Sequence, residues 1–502
     1  MTSPMRPGPA DPHTQLLPLH SARGRIALTA TVLASSAALL DSTIANVALP
    51  KIGLELGGDL GALQWVITGY LLTLASFILL GGALGDRYGR RRIFRLGAVW
   101  FALASLACAL APSLPLLVAA RMVQGIGAAL LTPTALALTQ SSFVDEDRGS
   151  AVGAWSGLGG VAAAIGPLLG GWLVDGPGWR WAFLLNLPLI AGALMATRSI
   201  PETADPGSGR SSFDLVGAVL AAITLGTATW ALTQAPERGW TNAVVLGGAV
   251  LALLLGAAFV LRERTAPDPL VPRGLFASRT FTVLNIATFA LYATLSGQFF
   301  LLAYQLQVSA GWSALAAGSA LLPSTVLMLV LSERSGALAA RIGPRVQLIV
   351  GPLLIAAAQI LLTSVDETTS WASDVLPGAI LFGFGLVAFV APLTAAVMAS
   401  VDQAHVGTAS GVNNAVARTA GLTAVAVIPV VSGLTTAAGP AETTAAFHTG
   451  MWITAGLAVV AAAIAAVGLP RHVATREGAR KYYCAVDGAP AQADQDQTAT
   501  SG

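Results

Sequence analysis

The chain reads as an all-α membrane protein: fourteen membrane-crossing helices, set out as two six-helix bundles with two further helices inserted between them. Three observations predict this. Of its 502 residues, 55% are hydrophobic and 10% charged, against about 25% charged in soluble domains. The apolar residues gather into fourteen runs of helical length, at roughly 26–50, 64–85, 93–112, 114–141, 149–173, 180–198, 213–233, 242–261, 280–306, 312–331, 345–364, 374–400, 406–433 and 449–469. A ten-residue motif also recurs at a fixed offset and marks two related halves.

That repeat sets the domain boundaries. Gly82-Ala83-Leu84-Gly85-Asp86-Arg87-Tyr88-Gly89-Arg90-Arg91 returns as Gly336-Ala337-Leu338-Ala339-Ala340-Arg341-Ile342-Gly343-Pro344-Arg345, six of ten positions identical at an offset of 254. The same offset carries Gly153, Ser156 and Gly157 onto Gly407, Ser410 and Gly411. Duplicated halves are a transporter pattern. The expected order is a disordered tail over 1–25, a first bundle over 26–198, a linker with two extra helices over 199–262, a second bundle over 263–470, and a disordered tail over 471–502.

The loops set orientation. With the N-terminus inside, 22 of the 27 Lys and Arg residues fall in inner loops and tails and three outside (Lys51, Arg180, Arg238), while Arg121 and Arg418 lie within spans. This asymmetry predicts that both termini are cytoplasmic. The two cysteines, Cys108 and Cys484, predict no disulfide framework, and the first apolar run is too long for a cleaved signal core.

The first run, IALTATVLASSAALLDSTIANVALP, holds Asp41 past its middle. A carboxylate at that depth costs roughly 2.5–3.5 kcal/mol on insertion scales. It is either a structural acid hydrogen-bonded to a neighbouring helix or a proton or cation site on a transport path. Arg121, in LVAARMVQGIGAA, falls at a matching depth counted from the span ends. It either pairs with Asp41, directly or through water, or snorkels to the outer surface.

The Gly82–Arg92 stretch places glycines at a tight turn between helix ends, and Asp86 with Arg87, Arg90 and Arg91 can form a charge latch there. Gly125-Ile126-Gly127 lies inside an apolar run with no preceding strand, so it is no dinucleotide fingerprint. Gly166, Pro167, Gly170 and Gly171 supply a bend and close approach, the material of a hinge, a seal or a packing seam. Gln298, Phe299 and Tyr304 suit an amphipathic ligand or an interfacial aromatic belt. Asn413, Asn414 and Arg418 either line a polar cavity or tie helices together. No Walker loop, Cys/His metal spacing or appended soluble domain is present, so the expected driving force is an ion gradient or none.

At these residues the chain resembles the major facilitator superfamily, and within it the fourteen-helix drug:proton antiporters. The resemblance rests on Leu40–Pro50 (LDSTIANVALP), Gly82–Arg92, Arg121 with Gln124 and Gly125, Gly166-Pro167 with Gly170-Gly171, and Trp179–Pro188 (WRWAFLLNLP), in that order. It implies a non-enzymatic efflux carrier in a bacterial cytoplasmic membrane. Such a carrier works by alternating access and exchanges small amphipathic compounds for protons. Asp41 and Arg121 would couple protons. Gly82, Asp86, Arg87, Gly89, Arg90 and Arg91 would gate the cytoplasmic face, and Gly166, Pro167, Gly170 and Gly171 would form the antiporter motif. Candidate substrate contacts are Asn46, Gln124, Gln298, Phe299, Tyr304, Asn413, Asn414 and Arg418. The expected partners are substrate, protons and lipid, with no cofactor, metal or nucleic acid and a monomeric state. Ala340 replaces the acid in the second loop copy, and the second half has no deep acid, which favours neutral or monocationic substrates. The rivals are a proton-coupled importer, which the Gly-Pro segment opposes, and a non-transporting membrane sensor, which has no need of a buried acid.

Overall fold

The computed structural model describes residues 16–200, 202, 214–239, 241–267, 269, 274–401, 406–434 and 439–470. The helices are α1 (Ala22–Leu56), α2 (Leu60–Tyr88), α3 (Arg90–Ala109), α4 (Leu114–Ser142), α5 (Asp145–Asp175), α6 (Arg180–Leu184), α7 (Asn186–Ala196), α8 (Leu215–Arg238), α9 (Ala243–Thr265), α10 (Arg279–Tyr304), α11 (Ala314–Ser319), α12 (Leu322–Ile342), α13 (Pro344–Leu361), α14 (Leu376–Ala399), α15 (Val406–Val431) and α16 (Pro440–Gly468). Each of the fourteen apolar runs contains helix among the described residues. Among the described residues, eleven helical stretches are long and apolar enough to cross a membrane, and 180–196 and 219–232 are shorter apolar helices.

Two runs break where proline removes a donor. Pro188 has no N–H for the Leu184 carbonyl, and the chain splits there into α6 and α7. Pro323 similarly lies in the first turn of α12, directly after the α11–α12 break. The first helix starts earlier than its apolar run, and the tail expected over 1–25 is ordered from Leu16. Leu17 N–H donates to the Ser142 carbonyl at 2.8 Å and Val144 N–H to the Leu17 carbonyl at 3.2 Å, while Leu19 N–H reaches Asp147 at 2.7 Å. Ser21 caps α1 through Gly24 N–H. The remainder of that tail, and the one over 471–502, lies outside the described residues.

The repeat is visible in backbone geometry. Gly89 (φ +101°) separates α2 from α3, and Gly343 (φ +82°) separates α12 from α13, so both copies place a glycine in the left-handed region at the same step. The helices α1 and α5, α1 and α7, α2 and α4, and α3 and α4 pack closely. So do α10 with α15 and α16, α13 with α14 and α16, and α12 with α14. Across the middle, α5 meets α11 and α12, α2 meets α15, and α1 meets α10, while α8 lies against α9, α2 and α15.

Small residues make this approach close, as expected where lipid leaves van der Waals contact as the main source of helix association. A Cβ on Gly97 would sit 2.8 Å from Leu130 Cβ, and one on Gly385 would sit 2.9 Å from the Gly351 carbonyl.

Candidate functional site

Four helices bring six polar side chains to one buried point. Asp41 (α1), Ser105 and Cys108 (α3), Arg121 and Gln124 (α4) and Asn186 (α7) are all at most 2% exposed. Arg121 Nη1 donates to Asp41 Oδ2 in an ion pair with both side chains inside the protein. Asp41 Oδ1 accepts from Gln124 Nε2 at 2.8 Å and from Asn186 Nδ2 at 2.9 Å. Ser105 Oγ accepts from the same two amides at 2.8 and 3.2 Å and donates to the Phe101 carbonyl. The carboxylate therefore has three donors and one full counter-charge.

Arg121 is held as firmly. Its Nη1 reaches Gln124 Oε1 at 2.6 Å and its Nε the Val66 carbonyl at 2.9 Å. Its guanidinium lies 4.3 Å from the centre of the Tyr70 ring and 5.6 Å from that of Phe183, within cation–π range. Nη2 has no hydrogen-bond partner among the described residues. The matching depths of Asp41 and Arg121 in the sequence thus correspond to direct contact.

One turn along α1 from Asp41, the glycine motif of α5 takes over. A Cβ on Gly166 would overlap Thr43 Oγ1, and one on Gly170 would lie 2.8 Å from Ile44 Cγ2. On its other side α5 meets α11. A Cβ on Gly171 would overlap the Ala314 carbonyl, and one on Gly318 the Pro167 carbonyl. Asp175, at the end of α5, accepts from Ala314 N–H at 3.1 Å and Leu315 N–H at 2.7 Å. It thereby closes the free amides at the start of α11. Gly166 and Gly170 thus face α1, and Gly171 faces the second half of the chain.

At the basic face, Gly85 approaches Thr134, where a Cβ would lie 2.7 Å from Cγ2, and Gly82 stands opposite Pro133. Gly89 makes the turn. Arg91 Nη1 donates to the Ile200 carbonyl at 2.8 Å, and its backbone N–H to Glu202 at 3.0 Å. Arg87 lies 5.5 Å from the Tyr88 ring centre, and Arg90 begins α3. The side chain of Asp86 lies outside the described residues. At the opposite end of α1, Glu55 accepts from Trp179 Nε1 at 2.6 Å and from Arg180.

The candidate substrate contacts separate. Gln124 belongs to the Asp41 cluster. Gln298 is fully buried and pairs with Gln359 at 2.5 Å, while Tyr304 is buried and stacked on Phe300. Asn413 ties α15 to α10 through Asn285 and Thr288. Asn46 donates to its own helix at the Ser42 carbonyl. Phe299, Asn414 and Arg418 remain half-buried.

Sequence reading passed over Ser105, Asn186, Asp175, Gly318 and Gln359. Asn186 and Gln359 each carried a signal, as a lone amide within an apolar run (AFLLNLP, IAAAQILL). Asp175 and Gly318 carried none, since their partners lie 139 residues away in sequence or further.

Comparison with known proteins agrees with this architecture. The peptide transporter POT in complex with sulfate superposes with a TM-score of 0.64 at 16% identity, covering 90% of this chain and 96% of that one. A POT family transporter in complex with 5-aminolevulinic acid gives 0.64 at 17% identity, over 89% and 97%. These likenesses show the fold alone. In sequence, the chain is 38% identical to the puromycin resistance protein pur8 of Streptomyces alboniger over 80% of each chain. It is 34% identical to the tetracenomycin C resistance and export protein of Streptomyces glaucescens over 78% of this chain and 72% of that one. It is also 34% identical to the methylenomycin A resistance protein of Bacillus subtilis (strain 168), over 82% and 88%. The family model described as Major Facilitator Superfamily matches residues 31–424. The chain belongs to the Major Facilitator Superfamily and is a multi-span membrane transporter rather than an enzyme.

Proposed function

We propose that this chain exports small amphipathic compounds, such as drugs, antibiotics or secondary metabolites, across the cytoplasmic membrane in exchange for protons. The observation that carries the reading is the buried Asp41 carboxylate, gripped by Arg121, Gln124 and Asn186. An acid placed so deep is a proton relay more readily than a structural prop. The names of the resistance and export proteins to which the chain is similar support outward transport.

Protonating Asp41 cancels the charge that holds Arg121. The two side chains then lose their mutual attraction, and α1 is free to shift against α4. Thr43 and Ile44 would carry that shift to Gly166 and Gly170 on α5, and Gly171 and Asp175 would pass it to α11. The apolar runs all cross the bilayer in this reading, fourteen times in total. The helices α1–α7 and α10–α16 form two bundles that rock about the centre, with α8 and α9 inserted. Gly82, Asp86, Arg87, Gly89, Arg90 and Arg91 close the cytoplasmic face, where both termini lie.

Everted vesicles holding wild-type protein should accumulate an amphipathic dye such as rhodamine B when their interior is acidified. Asp41→Asn, at equal expression, should lose that uptake while still binding dye. Equal uptake by the two would remove Asp41 from the coupling path.

A further inference from the structure

We infer that Arg418 anchors an anion subsite that receives an acidic group of the cargo, an inference that rests on the export reading above. Arg418 and Asn414 lie one turn apart on the same face of α15. Neither makes a hydrogen bond or ion pair among the described residues, and Arg418 Nε is buried with no acceptor. Asp41 already has Arg121 as its counter-ion and accepts from Gln124 and Asn186 as well.

The surroundings form a wall suited to an amphipathic body. Three residues along, Gly421 marks the convergence of three helices: a Cβ there would lie 2.9 Å from Ser296 Oγ on α10 and 3.8 Å from Leu71 on α2. On α10, Tyr292, Ser296 and Phe299 are half-buried, and their i, i+4, i+7 spacing puts them on one helical face. Gln298 between them is fully buried against Gln359. Neither Tyr292 nor Ser296 makes a side-chain hydrogen bond among the described residues.

A guanidinium inside a membrane span is costly without a partner. Here the partner arrives and leaves with the cargo. The fork of Arg418 matches a carboxylate in two-point contact, Asn414 and Ser296 offer further hydrogen bonds, and Phe299 and Tyr292 flank the apolar part. The cargo class is then an amphipathic carboxylate or zwitterion, in place of the neutral or monocationic compounds that the missing deep acid of the second half suggests.

Rhodamine B, with its free carboxylate, and its ethyl ester form a matched pair of probes. Purified full-length protein should bind the acid about tenfold more tightly than the ester, as one charge-assisted contact implies. Arg418→Gln should abolish that preference by weakening the acid alone, with ester binding serving as the control for folding. Arg418→Lys should keep part of it. No preference in wild type, or an unchanged preference in Arg418→Gln, overturns the subsite. Loss of acid and ester binding alike in both variants assigns Arg418 to packing and overturns it too. In proteoliposomes, ester export without acid preference leaves the export reading standing, whereas export of neither dye removes both.

Discussion

The two halves of this chain share a backbone plan and differ in what they bury at its centre. Ser105 on α3 and Gln359 on α13 occupy equivalent places in the 254-residue repeat. In the first half, Ser105 completes a network around the Asp41–Arg121 ion pair, in which the carboxylate accepts three hydrogen bonds. In the second half, Gln359 donates to Gln298, and among the described residues Gln298 Nε2 and Gln359 Oε1 have no hydrogen-bond partner. One half holds a charge that must be neutralised in place. The other holds a neutral pair that tolerates incomplete bonding. The two halves share helix ends and the Gly89/Gly343 turn, and differ in polar chemistry.

The largest expected effect comes from breaking the charged side alone. Arg121→Gln leaves an uncompensated carboxylate and should cost about 3–5 kcal/mol, read as a large drop in thermal unfolding temperature in detergent. Replacing both amides of the second half, as Gln298→Met with Gln359→Met, should stay within about 1 kcal/mol of wild type, because both partners become apolar at similar shape. A several-kcal/mol loss in that double variant would erase the contrast.

The next effect tests how the first half reaches the second. Gly171→Val places methyls against the Ala314 carbonyl and should cost about 1–3 kcal/mol by overpacking. It should also raise the labelling of a cysteine placed on α11. Unchanged labelling would reduce the α5–α11 contact to passive packing. Asp175→Ala, which uncaps α11, should cost about 0.5–2 kcal/mol and shift labelling in the same direction.

The smallest effect lies outside both polar centres. Burial of the Asp214 carboxyl opposes its ionisation, yet hydrogen bonds from Arg262 and from Gly217 N–H outweigh this and hold it below its ordinary 3.8. A carboxyl lowered in the folded state stabilises above its unfolded value, and that contribution fades as pH falls through the folded one. Asp214→Asn should therefore cost about 1 kcal/mol or less at neutral pH, Arg262 being partly exposed. The difference from wild type should vanish only in strong acid, which a pH series of melting curves would reveal.

The legible parts of the site were those that break a local rule. Asp41 and Arg121 stood out because a charge within an apolar run is costly wherever it lands. The Gly166–Gly171 cluster was legible as close packing, but its division between two neighbours was not. Gly166 and Gly171 look alike in sequence, and only the surfaces that α5 meets distinguish them. Gln124, Gln298 and Tyr304 shared the polar or aromatic character of binding residues, yet rotation about the helix axis turned each into a buried contact.

By itself the sequence determined which segments are helical, that they belong to a membrane, and that the chain repeats. Each of these follows from local cost: apolar length, backbone hydrogen bonding in lipid and turn chemistry act within a few tens of residues. Only the tertiary structure decided which polar groups meet. The network of Asp41, Ser105, Arg121, Gln124 and Asn186 joins residues as far as 145 apart, and the cap of Asp175 on α11 spans 139. Such pairings depend on how each helix is turned and on which neighbour it faces, and side-chain packing sets both across the whole assembly.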